Sequence, residues 1–464
     1  MAESDASQSD IGIVGLDFIG RNAALFLAGQ NFHVVAYDWE QHKTRALCEQ
    51  TTGPNVLVVA NISGLMAKLR PPRNILVFSG AKSPMSLVLD QLLPELEVGD
   101  LLMDAGDTYF QDTAKHQGRL AERGIQFLGI GLAGGSLGAR QGAIVMAGGG
   151  REARARSRPL LEAMAATIRE EPCVSYFETA AAAHFVKSCH TGVEHALLQL
   201  LSETFDLLQR TLLLSNKELH DAAGAWHVGM LDGYLMEIAG RVFEPMAKLD
   251  SRQLLEERLE FARNDPLGKW VVQSAWELDV AIPTIEAAVT SPCAPGTGQR
   301  RTLLAVPYRQ PVGRFANDPR SVLDELHGAL HAAMTIAYAQ GVALLRAASQ
   351  QLGFRFNLHE ITCAWRGCTQ LRTSMLDDIT TALRTTPDLP GLLSDDDLSE
   401  GVMARQENLR HAVWRAHELD TSASALQASL DYLDSRRDAW LPVNLIQVPL
   451  RSADRPVLQA EWAH

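Results

Sequence analysis

The sequence predicts an α/β domain built on a parallel sheet, then a large all-α domain, then an extended C-terminal tail. Three observations predict this order. From Ile11 the chain reads as a strand, a glycine turn, a helix and a second strand, and further strands follow, each ending in small residues. From Ala180 to about Asp438 apolar residues recur at the helical period. From Leu441 to His464 neither period persists. The predicted boundaries are residues 1–178, 179–440 and 441–464.

Composition narrows the function classes. The 464 residues are 46% hydrophobic and 21% charged, as in a globular protein of two or three domains. A formal charge of −13 argues against nonspecific nucleic-acid or membrane-surface binding. Six cysteines form no CxxC pair and no Cys/His cluster, so they read as reduced, mostly buried thiols of a cytoplasmic protein without a metal centre. No run reaches the ~18 apolar residues of a membrane span. The polar opening MAESDASQSD lacks a signal-peptide core and reads as a frayed end.

The first strand runs into Gly15-Leu16-Asp17-Phe18-Ile19-Gly20, and the second, Phe32 to Tyr37, ends at Asp38. This is the order of a Rossmann-type dinucleotide site. An acid at Asp38 accepts from the ribose hydroxyls of NAD and repels a 2′-phosphate, which predicts NAD over NADP. Asp17 occupies the turn where a small residue normally lets the pyrophosphate approach. Either it points away from the phosphates or it weakens binding. Later strands end in Phe78-Ser79-Gly80, Ala105-Gly106-Asp107 and Ala133-Gly134-Gly135. Each cluster is a tight turn or a ligand-facing loop, and their recurrence favours a site. The predicted cofactor contacts are Gly15, Phe18, Ile19, Gly20, Asp38, Trp39, Phe78, Ser79, Gly80 and Asp107.

The helix from Ala180 to Leu201 carries Lys187, His190, Thr191, Glu194 and His195 on one stripe, with alanine and leucine elsewhere. Partial desolvation lowers an amine's pKa and raises a carboxyl's, the combination that proton transfer near pH 7 requires. The alternative is the solvated face of an ordinary amphipathic helix. Farther on, Ser321–Gln351 and Val402–Leu419 read as helices, and Thr290–Arg314, rich in proline and glycine, as a loop.

With these pieces in place the chain resembles the 6-phosphogluconate dehydrogenase family over nearly its whole length. The matching segments are AHFVKSCHTGVEH at 183–195, DGYLMEIA at 232–239, GKW at 268–270, YAQGVALLR at 338–346, WRGC at 365–368 and LPVNLIQ at 441–447. The resemblance implies a homodimer whose tail reaches into the partner subunit. It also implies oxidation of the C3 alcohol of 6-phosphogluconate with NADP, followed by decarboxylation. By resemblance Lys187 is the general base, Glu194 the general acid, His190 a substrate ligand and Lys269 a phosphate ligand.

The departures fall on the substrate site. The family's SGG loop is Ala133-Gly134-Gly135, its next asparagine is Thr191, and its tyrosine is His195. A phosphate-binding arginine falls on Pro292, and the tail arginine and histidine fall on Leu450 and Pro456, with Arg451 and Arg455 nearby. The asparagine between cofactor and substrate is Asp107, which either points elsewhere or shares a proton relay with Lys187. The Asn-Arg-Thr that selects the 2′-phosphate is Asp38-Trp39-Glu40. A phosphate is held by converging charge-assisted bonds, and most of those handles are gone while Lys187 and Glu194 remain.

Four functions fit this pattern. The first is an NAD-dependent dehydrogenase for a secondary alcohol on a sugar-like, non-phosphorylated small molecule, contacted by Gly134, Gly135, His190, Thr191, His195 and Lys269. The second is a redox-neutral dehydratase or isomerase with resident NAD, acting by oxidation, elimination and reduction on a sugar or nucleoside. The third is an inactive cofactor-binding relative, and the fourth an authentic 6-phosphogluconate dehydrogenase with a rebuilt site.

Overall fold

The computed structural model describes residues 8–51, 53–80, 83–168, 170–244, 266–290, 318–367 and 371–436, without the side chains of 136 and 137. The tail with Arg451 and Arg455, the positions Pro292, Leu450 and Pro456, Cys293, Cys368 and the loop expected beyond Thr290 lie outside the described residues.

Ten strands form in the N-terminal part: β1 (Ile11–Val14), β2 (Val34–Tyr37), β3 (Val56–Val58), β4 (Asn74–Val77), β5 (Leu101–Asp104), β6 (Gln126–Ala133), β7 (Ile144–Gly149), β8 (Thr167–Ile168), β9 (Glu171–Pro172) and β10 (Val174–Phe177). Eight make one sheet in the order β10-β7-β6-β5-β4-β1-β2-β3, and β8 pairs with β9 as a small antiparallel hairpin. The runs IGIV, VVAY and LLMD are buried along their length, as strands covered on both faces must be. The order reverses between β1 and β4, so the ends of β1, β4 and β5 open onto a switch-point crevice.

Two features depart from the sequence reading. The sheet is not wholly parallel: β6 pairs antiparallel with β7, and β10 then runs parallel to β7. The predicted Val402–Leu419 helix is two helices, Asp396–Met403 and Gln406–Glu418. The turn at Ala404-Arg405 lets the second bury Leu409, Ala412, Val413 and Ala416, a face that the first helix could not supply in line.

After β10 the chain enters a helix of 33 residues, Ala180–Leu212. Thr179 caps it, its hydroxyl accepting from the Ala182 amide. The helix lies directly on β6 and β7, and three glycines make the approach possible. A Cβ at Gly148 would stand 2.1 Å from the Thr179 carbonyl oxygen, one at Gly129 2.3 Å from that of Ala180, and one at Gly131 2.7 Å from Lys187 Cβ. A second 33-residue helix, Pro319–Gln351, packs against it and carries the helical core. By length and composition it could cross a membrane, but 89% of its apolar stretch is buried inside the protein. The described cysteines Cys48, Cys173, Cys189 and Cys363 are free, and only Cys173 and Cys189 are buried.

Two stability predictions follow from this packing. Gly129→Ala forces a methyl onto backbone that cannot give way, so urea unfolding should show a loss of at least ~1–3 kcal/mol. Gly118→Ala, at an exposed position of the helix Phe110–Ala121 with nothing within 4 Å of the new methyl, should instead gain ~0.5–1 kcal/mol. On the Pro319–Gln351 helix, burial, with Arg405 and His327 beside it, pushes His331 down to about 4. Between pH 6.5 and 4 the unfolded chain therefore binds a proton that the folded chain refuses, and stability falls as pH falls. His331→Gln should lose less stability than wild type between pH 7.5 and 5, by on the order of 1 kcal/mol.

Candidate active site

The glycine turn after β1 is built by close backbone contact. Gly15 has φ +91°, and a Cβ there would meet the Phe78 carbonyl oxygen at 2.2 Å. A Cβ at Gly20 would meet the Gly15 carbonyl oxygen at 2.0 Å. Only glycine fits either position, so the turn packs flush against the end of β4. Phe18 and Ile19 open the helix Phe18–Gly29, with the Phe18 ring largely exposed. Arg140 stands 5.3 Å and Arg21 5.9 Å from that ring, and Arg140 Nε donates to Asn22 Oδ1.

Asp17 does not point away. Its Oδ1 accepts from the Ile19 amide at 3.1 Å and the Gly20 amide at 3.0 Å, capping the helix.

Asp38 is buried, and both its carboxylate oxygens hold backbone. Oδ2 accepts from the Leu16 amide at 2.6 Å and Oδ1 from the Glu40 amide at 2.7 Å. Each oxygen keeps a lone pair for a ribose hydroxyl. The sequence reading missed Lys43, whose Nζ lies 2.8 Å from Glu40 and 3.8 Å from Asp38. Burial opposes its charge, but the hydrogen bond to Glu40 and the fields of Asp38, Glu40 and Asp17 outweigh that and raise its pKa. Its place one helical turn past the acids was the available signal. Trp39 Nε1 donates to Gln91. Ser79 is buried at the end of β4, and Gly80 bridges to Ser83. A Cβ at Gly106 would strike Ser79 Oγ at 1.8 Å, so the loops after β4 and β5 interlock.

The loop after β5 is set by Asp104, whose buried carboxylate accepts from the Gly106 amide and the Thr108 hydroxyl. Asp107, next in that loop, is exposed. His184, also missed, ties this strand to the long helix: its Nε2 lies 3.1 Å from the Asp104 carbonyl oxygen and its Nδ1 2.6 Å from Thr113 Oγ1.

One turn on from His184 comes Lys187, with its stem against Gly131. His190 is wholly buried, edge-on to Trp365 at 5.5 Å, with Nδ1 3.7 Å from Glu194 Oε2. Among the described residues neither His190 nitrogen has a hydrogen-bond partner, nor has the buried Thr191 hydroxyl. Burial first, then the Lys187 charge, holds His190 well below its ordinary pKa. Burial also lowers His195, against the pull of Glu194 and with the push of Lys187. The stripe is therefore not a solvated face. Its histidines are neutral at pH 7, and it offers orphaned donors and acceptors of the kind a polar ligand satisfies.

The helix Leu267–Glu277 closes this side. A Cβ at Gly268 would come within 3.0 Å of His195 Nδ1, Trp270 packs on Tyr109 at 5.5 Å, and Lys269 stays exposed. Gly134 and Gly135, both at positive φ, open the short helix Gly135–Gln141 beyond β6. Among the described residues no group of three or more His, Cys, Asp or Glu could hold a metal.

The glycine cradle, the acid at the end of β2 and the switch-point crevice fit a nicotinamide dinucleotide, and Asp17 opposes it.

Comparison with known proteins agrees with this architecture. Residues 10–177 match the NAD binding domain of 6-phosphogluconate dehydrogenase, and residues 183–450 match its C-terminal domain. The NADP(+)-dependent, decarboxylating 6-phosphogluconate dehydrogenase of Bacillus subtilis is 34% identical over 95% of this chain and 94% of its own. The decarboxylating enzyme of Schizosaccharomyces pombe is 32% identical over 96% and 90%. The Plasmodium falciparum 6-phosphogluconate dehydrogenase structure, solved in its apo form and with its cofactor NADP+ and its substrate 6-phosphogluconate, superposes with a TM-score of 0.84 at 27% identity, covering 95% of each chain. On these matches and the fold that carries them, the chain belongs to the 6-phosphogluconate dehydrogenase family of oxidoreductases.

Proposed function

We propose that this chain is an NAD-dependent dehydrogenase that oxidises a secondary alcohol of a sugar-like substrate carrying no phosphate. The observation that carries the reading is one helix face on which His190 is buried between half-buried Lys187 and Glu194, beginning one helical turn beyond the His184 contact with β5. A bound nicotinamide supplies the hydride acceptor. Lys187 takes the hydroxyl proton as the carbonyl forms. Neutral His190 and Thr191 donate to and accept from substrate hydroxyls, and Glu194 lies 3.7 Å from His190 on the same face. Asp107, at the rim, completes the proposed relay.

Two features support the missing phosphate. His195 replaces the family's tyrosine with an imidazole that burial keeps neutral, so it adds no charge for an anion. Among the described residues predicted to touch substrate, Lys269 is the one cation beyond Lys187, where a phosphate is held by several converging charge-assisted bonds. NAD rather than the relatives' NADP is supported by Asp38 and Glu40, which already hold the nearby cation Lys43. A 2′-phosphate would meet two carboxylates whose counter-charge is spent.

Three measurements test this reading. Lys187→Met should leave NAD affinity intact while lowering turnover by about 10²–10⁴, and wild-type turnover in that variant would make the stripe structural. In calorimetric titration NAD should bind more tightly than NADP, and Asp38→Ala should erode the difference by ~1.5–3 kcal/mol. The implied homodimer with tail exchange belongs to the same proposal, and light scattering at the 50.7 kDa of one chain would remove it.

A further inference from the structure

The glycine turn after β1 presents the first amides of the Phe18–Gly29 helix, the place where a dinucleotide's pyrophosphate is ordinarily received. In this chain two of those amides, and one in the turn before them, are already taken by the protein's own acids. Asp17 Oδ1 holds the Ile19 and Gly20 amides, and Asp38 Oδ2 holds the Leu16 amide. Lys43, the cation beside these acids, does not offset this. Lys43 is shared among Asp38 and Glu40 and lies within the field of Asp17. Arg140 is directed to Asn22 and, with Arg21, to the Phe18 ring.

We propose that Asp17 makes NAD a loosely held, exchanging co-substrate, because its carboxylate occupies the amides that would otherwise receive the pyrophosphate. This rests on the NAD reading above. For the pyrophosphate to enter, Asp17 must give up its cap and then stand beside a second anion, so the dinucleotide is opposed twice, by occupancy and by charge. The adenosine half is unaffected, since Asp38 keeps lone pairs for the ribose. The consequence separates two of the functions the sequence allows. A net dehydrogenase must release its reduced cofactor at every turnover, whereas a redox-neutral lyase must retain it through the cycle. A carboxylate in the phosphate cradle suits the first and works against the second.

The test is binding, independent of turnover. NADH, ADP-ribose and adenosine are titrated into the full-length wild type, Asp17→Ala and Asp17→Asn, the last keeping a neutral cap so that folding is preserved. Asp17→Ala should bind NADH and ADP-ribose at least about tenfold more tightly than wild type, and Asp17→Asn, which loses the charge and keeps the cap, should fall between the two, with adenosine within about twofold in both. Wild-type protein as purified should carry no stoichiometric dinucleotide absorbance. Unchanged or weaker NADH binding in both variants would overturn the proposal while leaving the NAD reading in place. Copurification of wild type with an equivalent of NAD(H) would do the same. Absence of NADH binding in wild type and both variants would overturn the proposal and the NAD reading together.

Discussion

The structure depends on one close approach, that of the Ala180–Leu212 helix onto β6 and β7. Helix backbone cannot reach sheet backbone through ordinary side chains, and Gly129, Gly131 and Gly148 remove them where the two meet. Everything chemical follows from that depth. The helix begins over the sheet and ends among the other helices, so one rigid element spans both parts of the chain. Polar groups in its first turns are thereby delivered to the crevice that the strand order opens, and the His184 bond to the Asp104 carbonyl fixes their rotation and height.

Burial of the same helix determines the character of the site. Lys187, His190, Glu194 and His195 lie within reach of each other's fields, in surroundings where an imidazolium is costly. The two imidazoles of that face are therefore held in their neutral form.

Much of this was legible in the sequence, for identifiable reasons. The strand–glycine–helix order and the Lys187 stripe are local, each written within about thirty residues, and periodicity exposes local features. The reversal of β7 was not legible, because the direction of a strand is decided by its partners and not by its own residues. Lys43 and His184 escaped for a similar reason. Each is an ordinary-looking residue whose meaning comes from a distant contact, with Asp38 and Glu40 in one case and with Asp104 and Thr113 in the other. Asp17 was noticed as an anomaly, but only the backbone could show that its side chain turns inward to the helix amides.

Asp38 has a consequence for how this lineage could change. On the proposed NAD reading its carboxylate receives the ribose, and it also anchors Leu16 and Glu40 through their amides. A residue exchanged there to admit a different nucleotide would slacken the turn that any nucleotide needs. Cofactor preference is thus mechanically coupled to the integrity of the loop, and an evolutionary path between the two cofactors passes through forms that bind neither well. A single-site library at this position should be poor in functional members, and a successful switch would require compensating changes in the loop itself.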